Sequence, residues 1–413
     1  MKLETRNSKL TMRRWQKILV LLLVLFLLSQ LPFAYRRRRL AVLRESIQQL
    51  TTQRKAISPD SMFREYKGVV HVHSFLGGHS SGKLEEIIQA AQSNRLDFVA
   101  MTEHTERDIN TAAMTLQGIH SGVLFLNGNE VSVNNAGRLL LIPGPQTRSE
   151  AGSTLEDLAQ KVRAKQGLAI VAYPQEFTSW GTDAVDGVEV YNLFTDARQI
   201  NRVSMFFDGL WSYSSYPDLL FANFYHRPDE NLRLWDQAQA GGRRLTALAG
   251  NDAHANVGVS FDGGSGKVLF SLQLDPYERS FSLVRVHVLI PNIEALSADT
   301  LLTAIREGHC FIGFDLFSDT TGFRFSGSSG TETHLQGDEL RLQGEARLSV
   351  SVPLPSRVAL LKNGTRIKDE YVEAKVEFVV TEPGNYRCEV YLSQLPHPVR
   401  EQPWIISNPI YVR

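Results

Sequence analysis

The sequence predicts an α/β protein: a barrel or near-barrel of βα units, followed by an all-β C-terminal domain and preceded by a membrane-crossing helix. Three observations predict it. Between residues 67 and 308, apolar runs of strand length alternate with segments of helical period, the pattern of βα units with largely parallel pairing. After about residue 314 the helical periods stop, and turn signals separate short strand-like runs. Near the N-terminus, residues 18–34 (ILVLLLVLFLLSQLPFA) carry no charge.

Residues 1–17 form a basic segment. The run 18–34 is near the lower limit of a bilayer span, about 17–25 residues. A cleaved signal peptide is the rival reading, but no small-x-small cleavage site is seen and four arginines, Arg36 to Arg39, follow directly. The run is therefore read as an uncleaved, single-pass anchor. Both flanks are basic, so charge leaves its orientation open. Residues 35–62 are polar and rich in Gln and Arg, with a weak helical period at Leu40, Leu43, Ile47 and Leu50. They are expected to form a juxtamembrane stalk.

The formal net charge of zero hides an asymmetry. Setting aside the eleven bases and one acid of residues 1–44 leaves 33 bases and 43 acids, a body of about −10. An acidic body argues against nucleic acid as a partner. Two cysteines, Cys310 and Cys388, are too few for a disulfide framework or a zinc–thiolate site.

From residue 63 to 314 the expected order is a strand at 69–74, a helix at 83–94, and strands at 97–102, 123–127 and 139–142. A helix at 154–166, stopped by Gly167, leads to strands at 168–172 and 185–191. A helix at 230–240, a strand at 245–249, a strand at 283–290 and a helix at 298–307 complete the unit. Residues 315–413 read as a small β-sandwich with strands at 341–350, 357–361, 376–380, 386–391 and 410–412. There Tyr386, two residues before Cys388, resembles the tyrosine corner of immunoglobulin-like domains, although the partner Cys and core Trp of such domains are absent.

The chemistry concentrates at predicted strand ends. His71 and His73 close the first strand two residues apart, which in a strand aims both imidazoles one way. His79 follows in a Gly/Ser loop, Glu103 and His104 close the second strand, Glu130 lies just beyond the third, and Asp252 and His254 close the strand at 245–249. A carboxylate with several histidines is the ligand set of hydrolytic zinc, manganese or iron sites. Each element alone has an ordinary structural explanation, a cap, a turn or a surface histidine. Their joint placement in one βα region favours a metal centre.

In order, these residues resemble the motifs of the polymerase-and-histidinol-phosphatase (PHP) domain, over roughly residues 67–315. The strand Asp186-Gly-Val-Glu-Val-Tyr-Asn192 is similar to one that such proteins carry. The resemblance implies a distorted seven-stranded βα (TIM-like) barrel with a metal cluster at its C-terminal rim. The C-terminal β-domain is most similar to the carbaryl-hydrolase-like branch, which implies an extracytoplasmic, periplasmic catalytic domain. One divalent ion (Zn, Mn or Fe) is expected on His71, His73, Glu130 and Asp252, and a second on His79, His104 and His254. Where family members often carry two further histidines for a third ion, this chain has Arg138 and Tyr173; two metals or one are expected. The usual Thr-Asp-His is Thr-Glu-His here, and Glu103 is expected to orient a ligand imidazole.

The resemblance also implies hydrolysis of a small-molecule ester, a phosphoester before others, by metal-activated water. Arg138, Tyr173 and His226 are the candidate catalytic groups, and Arg138 and Arg227 the candidate anion-binding groups. Two alternatives stand beside this: hydrolysis of a carboxylic or carbamate ester on the same fold, and a non-catalytic metal-binding or scaffold protein.

Overall fold

The computed structural model describes residues 13–54, 62–145, 153–198, 201–223, 225–256, 258–262, 268–273 and 275–413. The first described element is one 39-residue helix, α1 (Arg14–Thr52). It is long and apolar enough to cross a membrane, a property that a signal sequence shares. α1 joins the apolar run to the segment expected as a stalk, and that expectation is corrected. Leu40, Leu43 and Leu50 are buried in the main core, with Ile47 packed beside them. Their i, i+3, i+7, i+10 spacing puts all four on one helical face. Arg37 and Arg44 lie over the Tyr216 ring at 5.4 and 4.6 Å, and Arg54 donates to the carbonyls of Asp319 and Thr321. The last part of the expected stalk, residues 55–61, lies outside the described residues.

The α/β part then runs β1 (Phe63–Val72), α2 (Leu84–Ser93), β2 (Phe98–Met101), β3 (Glu103–His104), α3 (Thr111–Met114), β4 (Gly118–His120), β5 (Val123–Leu126), β6 (Asn129–Val133) and β7 (Gly137–Ile142). It continues through α4 (Leu155–Arg163), β8 (Leu168–Val171), β9 (Gly187–Asn192), α5 (Leu193–Arg198), α6 (Arg202–Ser212), α7 (Asp229–Ala238) and β10 (Thr246–Ala253). The hairpin β11 (Gly258–Asp262) and β12 (Val268–Gln273), α8 (Tyr277–Leu283), β13 (Arg285–Pro291), α9 (Ala298–Arg306) and β14 (Cys310–Gly313) follow. Local chemistry sets the helix starts: Thr154 accepts from the Asp157 N–H to cap α4, and Ser297 accepts from the Thr300 N–H to cap α9. The core strands β2, β5, β8 and β10 are buried at every position, as strands covered on both faces must be.

Pairing is mixed rather than largely parallel. β1 pairs in parallel with β2 and with β10; β2 pairs in parallel with β5, and β3 with β6. β6–β7 and β7–β8 are antiparallel, and β8–β9 and β9–β10 are parallel again. The N-terminal half of β1 also takes β13 antiparallel, and β13 takes β14. All the residues expected as metal ligands sit at or just past the C-terminal ends of these strands, apart from Glu130 inside β6 and His79 in the loop after β1.

The C-terminal part contains β15 (Arg324–Ser329), β16 (Glu332–Leu335), β17 (Glu339–Leu340), β18 (Ala346–Ser351), β19 (Ser356–Lys362), β20 (Thr365–Val372), β21 (Lys375–Val380), β22 (Gly384–Tyr391), β23 (Ile405–Ser407) and β24 (Ile410–Val412). β16, β15, β18 and β21 make a four-stranded sheet, while β20, β19, β22 and β24 belong to the large one. The Tyr386 hydroxyl donates to the Glu382 carbonyl at 2.8 Å, the bond that defines a tyrosine corner. Hydrogen bonds cross the expected boundary at residue 314. β14 pairs with β23, and the Asn408 side chain accepts from the Ala247 N–H at 2.7 Å and donates to the Cys310 carbonyl at 2.8 Å. Cys310 and Cys388 are both free and buried.

Candidate metal centre

The His-x-His pair does not project from a plain strand. The pairing of β1 with both β2 and β10 shifts register between Val70 and Val72, and His71 lies at φ 68°. Asp252, at the end of the neighbouring β10, lies at φ 47°. Left-handed backbone at a non-glycine residue costs about 1–3 kcal/mol and persists where surrounding structure enforces it. Here the bulge and the two strained residues re-aim side chains that simple alternation would send elsewhere.

Their ligand atoms approach one another. His71 Nε2 lies 3.5 Å from Glu130 Oε2 and 3.4 Å from Asp252 Oδ1. His73 Nε2 lies 3.6 Å from the same Glu130 oxygen and 3.4 Å from the same Asp252 oxygen. Four ligands held tetrahedrally at 2.0–2.1 Å from an ion stand ~3.4 Å from each other. Hydrogen bonds do not explain these spacings. Among the described residues, His71 Nε2, both ring nitrogens of His73, Glu130 Oε2 and Asp252 Oδ1 are all buried without a hydrogen-bond partner. Buried polar atoms are normally paired, so a divalent cation fits this donor set.

A second group forms beside the first. The ligand atoms of His73, His104 and His254 lie within 4.8 Å of one another, as do those of His71, His73 and Asp252. The His73 ring stacks between those of His104 and His254, at 4.5 and 4.3 Å. His73 therefore borders both groups, where the sequence assigned it to one. His79 is exposed, with its ring edge-on to His104 at 5.0 Å, and stands outside both groups of converging atoms among the described residues.

The two carboxylates divide their oxygens alike. Glu130 keeps Oε2 for the cluster and accepts from Arg138 on Oε1 at 3.2 Å. Asp252 keeps Oδ1 for the cluster and accepts on Oδ2 from the Tyr173 hydroxyl at 2.8 Å and the Asn192 amide at 3.2 Å. Burial raises the Glu130 carboxyl, but His71, His73 and His104 outweigh it and hold the group at about 2. Burial is likewise overcome at Asp252, which the surrounding imidazoles hold well below the carboxylate range. Burial, with His71 and His254 alongside, pushes the His73 imidazole down to about 3, despite its approach to Asp252. Ionised carboxylates and a neutral imidazole are the ligand forms a metal requires.

Glu189, in β9, is the functional residue that sequence reasoning missed. Its Oε2 lies 2.6 Å from His71 Nδ1, which turns His71 Nε2 toward the cluster. Burial opposes charge on His71, but Glu189 and Asp252 hold its ring well above the usual imidazole range, so an ion that takes Nε2 would have to displace a proton there. The carboxylate needs a glycine opposite: a Cβ on Gly250 would lie 2.1 Å from Glu189 Oε2. A Glu in an apolar strand is the available signal: the strand Asp186-Gly-Val-Glu-Val-Tyr-Asn192 carries it, but the sequence reading gives Glu189 no role.

Several expectations are corrected. Glu103 does not orient an imidazole. It accepts from the Ser74 backbone at 2.9 Å, the Ser74 hydroxyl at 2.6 Å and the Thr115 hydroxyl at 2.8 Å, and so ties down the loop after β1. Tyr173 donates to a cluster carboxylate; burial, with Asp252 and Glu130 nearby, pushes its phenol far up and keeps the proton in place. Arg227 is committed to Glu389, at 2.9 and 2.6 Å, and to Asp229, which removes it as an anion-binding group. Arg138 is 41 % exposed, pairs with Glu130 and stacks on Tyr173 at 4.8 Å. A cavity of about 410 Å³ opens beside Asp252, lined by Tyr173, Glu176, Asn192, Thr195 and His226. A larger one, about 710 Å³, lies between α7 and the turns at 363–365 and 383–385, away from the ligand cluster.

No family model and no curated protein matches the chain. Among solved structures it is similar to a protein of Bacteroides vulgatus described as a two-domain protein containing a predicted PHP-like metal-dependent phosphoesterase. The identity is 12 %, the match covers 86 % of this chain and 99 % of that one, and the TM-score is 0.40. The chemistry of the site stands on its own atoms.

Proposed function

We propose that this chain is a membrane-anchored, metal-dependent hydrolase that cleaves phosphoesters. The observation that carries the reading is the convergence of His71 Nε2, His73 Nε2 and Asp252 Oδ1 on one another, with Glu130 Oε2 within 3.6 Å of both imidazoles, all buried and without a hydrogen-bond partner among the described residues. A divalent ion held by these residues would supply Lewis acidity and make bound water a better nucleophile near neutral pH. A second ion would take His104 and His254 with His73, and the family resemblance adds His79. β1, β2 with β3, β5 with β6, β7, β8, β9 and β10 are read as the distorted seven-stranded barrel, supported by a path of pairings that starts and ends on β1. Residues 315–413 are read as the sandwich domain. α1 is read as the single-pass anchor, with the catalytic part on the extracytoplasmic side.

The protein groups have separate tasks. Glu189 holds the His71 ring in the tautomer that leaves Nε2 free. Tyr173 and Asn192 hold Asp252 from behind. Arg138 keeps further N–H groups free of Glu130 and can bind a phosphoryl oxygen, placing a fixed cation where charge develops. His226, exposed in the lining of the cavity, is read as the group that gives a proton to the leaving group. The test uses the full chain in detergent, because residues 40–50 belong to the core. Elemental analysis is run beside a panel of aryl phosphate mono- and diesters, aryl carbamates and carboxylic esters. One or two divalent ions and chelator-sensitive phosphoester turnover are expected. Turnover of carbamates or carboxylic esters alone overturns the phosphoester assignment, and bound ions without any turnover return the chain to a binding role.

A further inference from the structure

α6 carries two distinct faces. One is spent on α1: the Phe207 ring stacks on Phe33 at 5.0 Å, Asp208 pairs with Arg36 at 2.6 Å, and Trp211 Nε1 donates to Gln30 at 3.1 Å. The other holds Val203, Phe206 and Leu210, which are 64, 62 and 69 % exposed. At ~100° per residue these three form a single stripe next to the α1-facing side. No described residue covers it. Its exposure matches that of the apolar run of α1 itself, where Leu19 to Phe26 are 43 to 57 % exposed.

We propose that α6 is an interfacial helix that lies in the lipid surface with Val203, Phe206 and Leu210 immersed, seating the body of the protein on the bilayer. The proposal rests on reading α1 as membrane-spanning. The partners of α6 on α1, Gln30 to Arg36, straddle the point where the apolar run ends at residue 34. At 1.5 Å per residue that stretch covers ~9 Å, and interfacial helices sit about 5–10 Å into the boundary between head groups and acyl chains. α6 therefore meets α1 at the level where the apolar run ends. At the same level Tyr35 is 64 % exposed and Arg38 is exposed, an aromatic and a cation of the kind that sit among head groups. α6 lies in the excursion after β9 that begins at the metal centre, where the Phe194 ring lies 5.2 Å from that of His254.

The experiment places a nitroxide label on the full chain reconstituted in phosphatidylcholine and phosphatidylglycerol vesicles. Cys310 and Cys388 are fully buried, so labelling is directed to Phe206→Cys, with Leu210→Cys as a second site, Val24→Cys in the span and Ile293→Cys, 95 % exposed, as the aqueous reference. Collision with oxygen is compared with collision with a water-soluble nickel chelate. Labels at 206 and 210 are expected to give an oxygen-to-nickel ratio several-fold above that at 293 and close to that at 24. A lipid reading at 24 with water readings at 206 and 210 overturns the inference and leaves the anchor standing. A water reading at 24 removes the anchor and the inference with it. Low collision with both reagents and dipolar broadening at 206 mean that a second copy covers the stripe, which also overturns it.

Discussion

The two ends of β1 each hold a buried histidine–carboxylate cluster, built from the same residue types and finished in opposite ways. At the N-terminal end, His287 Nδ1 meets Glu65 Oε1 at 2.8 Å and Nε2 meets the Thr320 hydroxyl at 2.9 Å. The other Glu65 oxygen takes the Gly322 N–H and Arg324, and Asp315 takes Thr320 on one oxygen and Arg285 on the other. Every ring nitrogen and every carboxylate oxygen there has a partner. At the C-terminal end, five such atoms have none. An unsatisfied buried polar atom costs about 1–3 kcal/mol. The open cluster is the one that a bound ion would complete in the proposed function. Residue type marks both clusters alike, and only the state of their hydrogen bonds separates a structural ion network from a ligand site.

Experiment can tell the two clusters apart. The largest effect is expected from Asp252→Ala. It removes an oxygen that approaches His71, His73 and His254 at 3.4 Å each. Bound metal and hydrolysis should fall by more than the ~10–100-fold typical of outer-shell changes, read by elemental analysis and phosphoester assay. Metal-replete Asp252→Ala protein would place the ion elsewhere.

The closed cluster should answer to pH instead. Burial alone would lower the His287 pKa, but Asp315 and Glu65 raise it to about 9. A raised histidine contributes stability that is whole below the unfolded pKa near 6.5 and is lost as pH rises through 9. That loss is roughly 3 kcal/mol. Denaturation midpoints of the full chain in detergent should decline across that window, and His287→Gln should flatten the decline. An unchanged slope in the variant contradicts the assignment.

The open cluster should answer to metal. Adding divalent ion at ~100 times its Kd should raise stability by about 2.7 kcal/mol, while Asp252→Ala protein should show no rise. Thermal melts with and without chelator measure both. The smallest effect is expected from Glu189→Gln, which keeps the size of the side chain but weakens its hold on His71 Nδ1. Metal affinity should drop ~10–100-fold with the fold intact, and an unchanged Kd would show that Glu189 supports packing alone.

Much of the open cluster was legible in the residues alone. The i, i+2 spacing of His71 and His73, the Asp252–His254 pair and the carboxylate near 130 are local patterns, and they lead to the cluster. The period at Leu40, Leu43, Ile47 and Leu50 was equally visible, but it does not say what a helix face packs against, and the stalk expectation failed there. Glu103 failed in the same way: its position beside His104 pointed to a ring, whereas its oxygens went to Ser74 and Thr115.

The order of residues was enough to place many of the strands and helices and to say which residue types gather at strand ends, since periodicity and short spacing are properties of neighbouring residues, but α6, α8, the β11–β12 hairpin, β15 and β20 were not read from it. It took the packed fold to bring Glu189 to His71 across 118 residues, to consume Arg227 on Glu389, to carry the sheet from β14 into β23, and to leave certain buried atoms without a partner. Those outcomes depend on which distant groups share a desolvated space, and hydrogen-bond satisfaction in that space has no counterpart in local pattern.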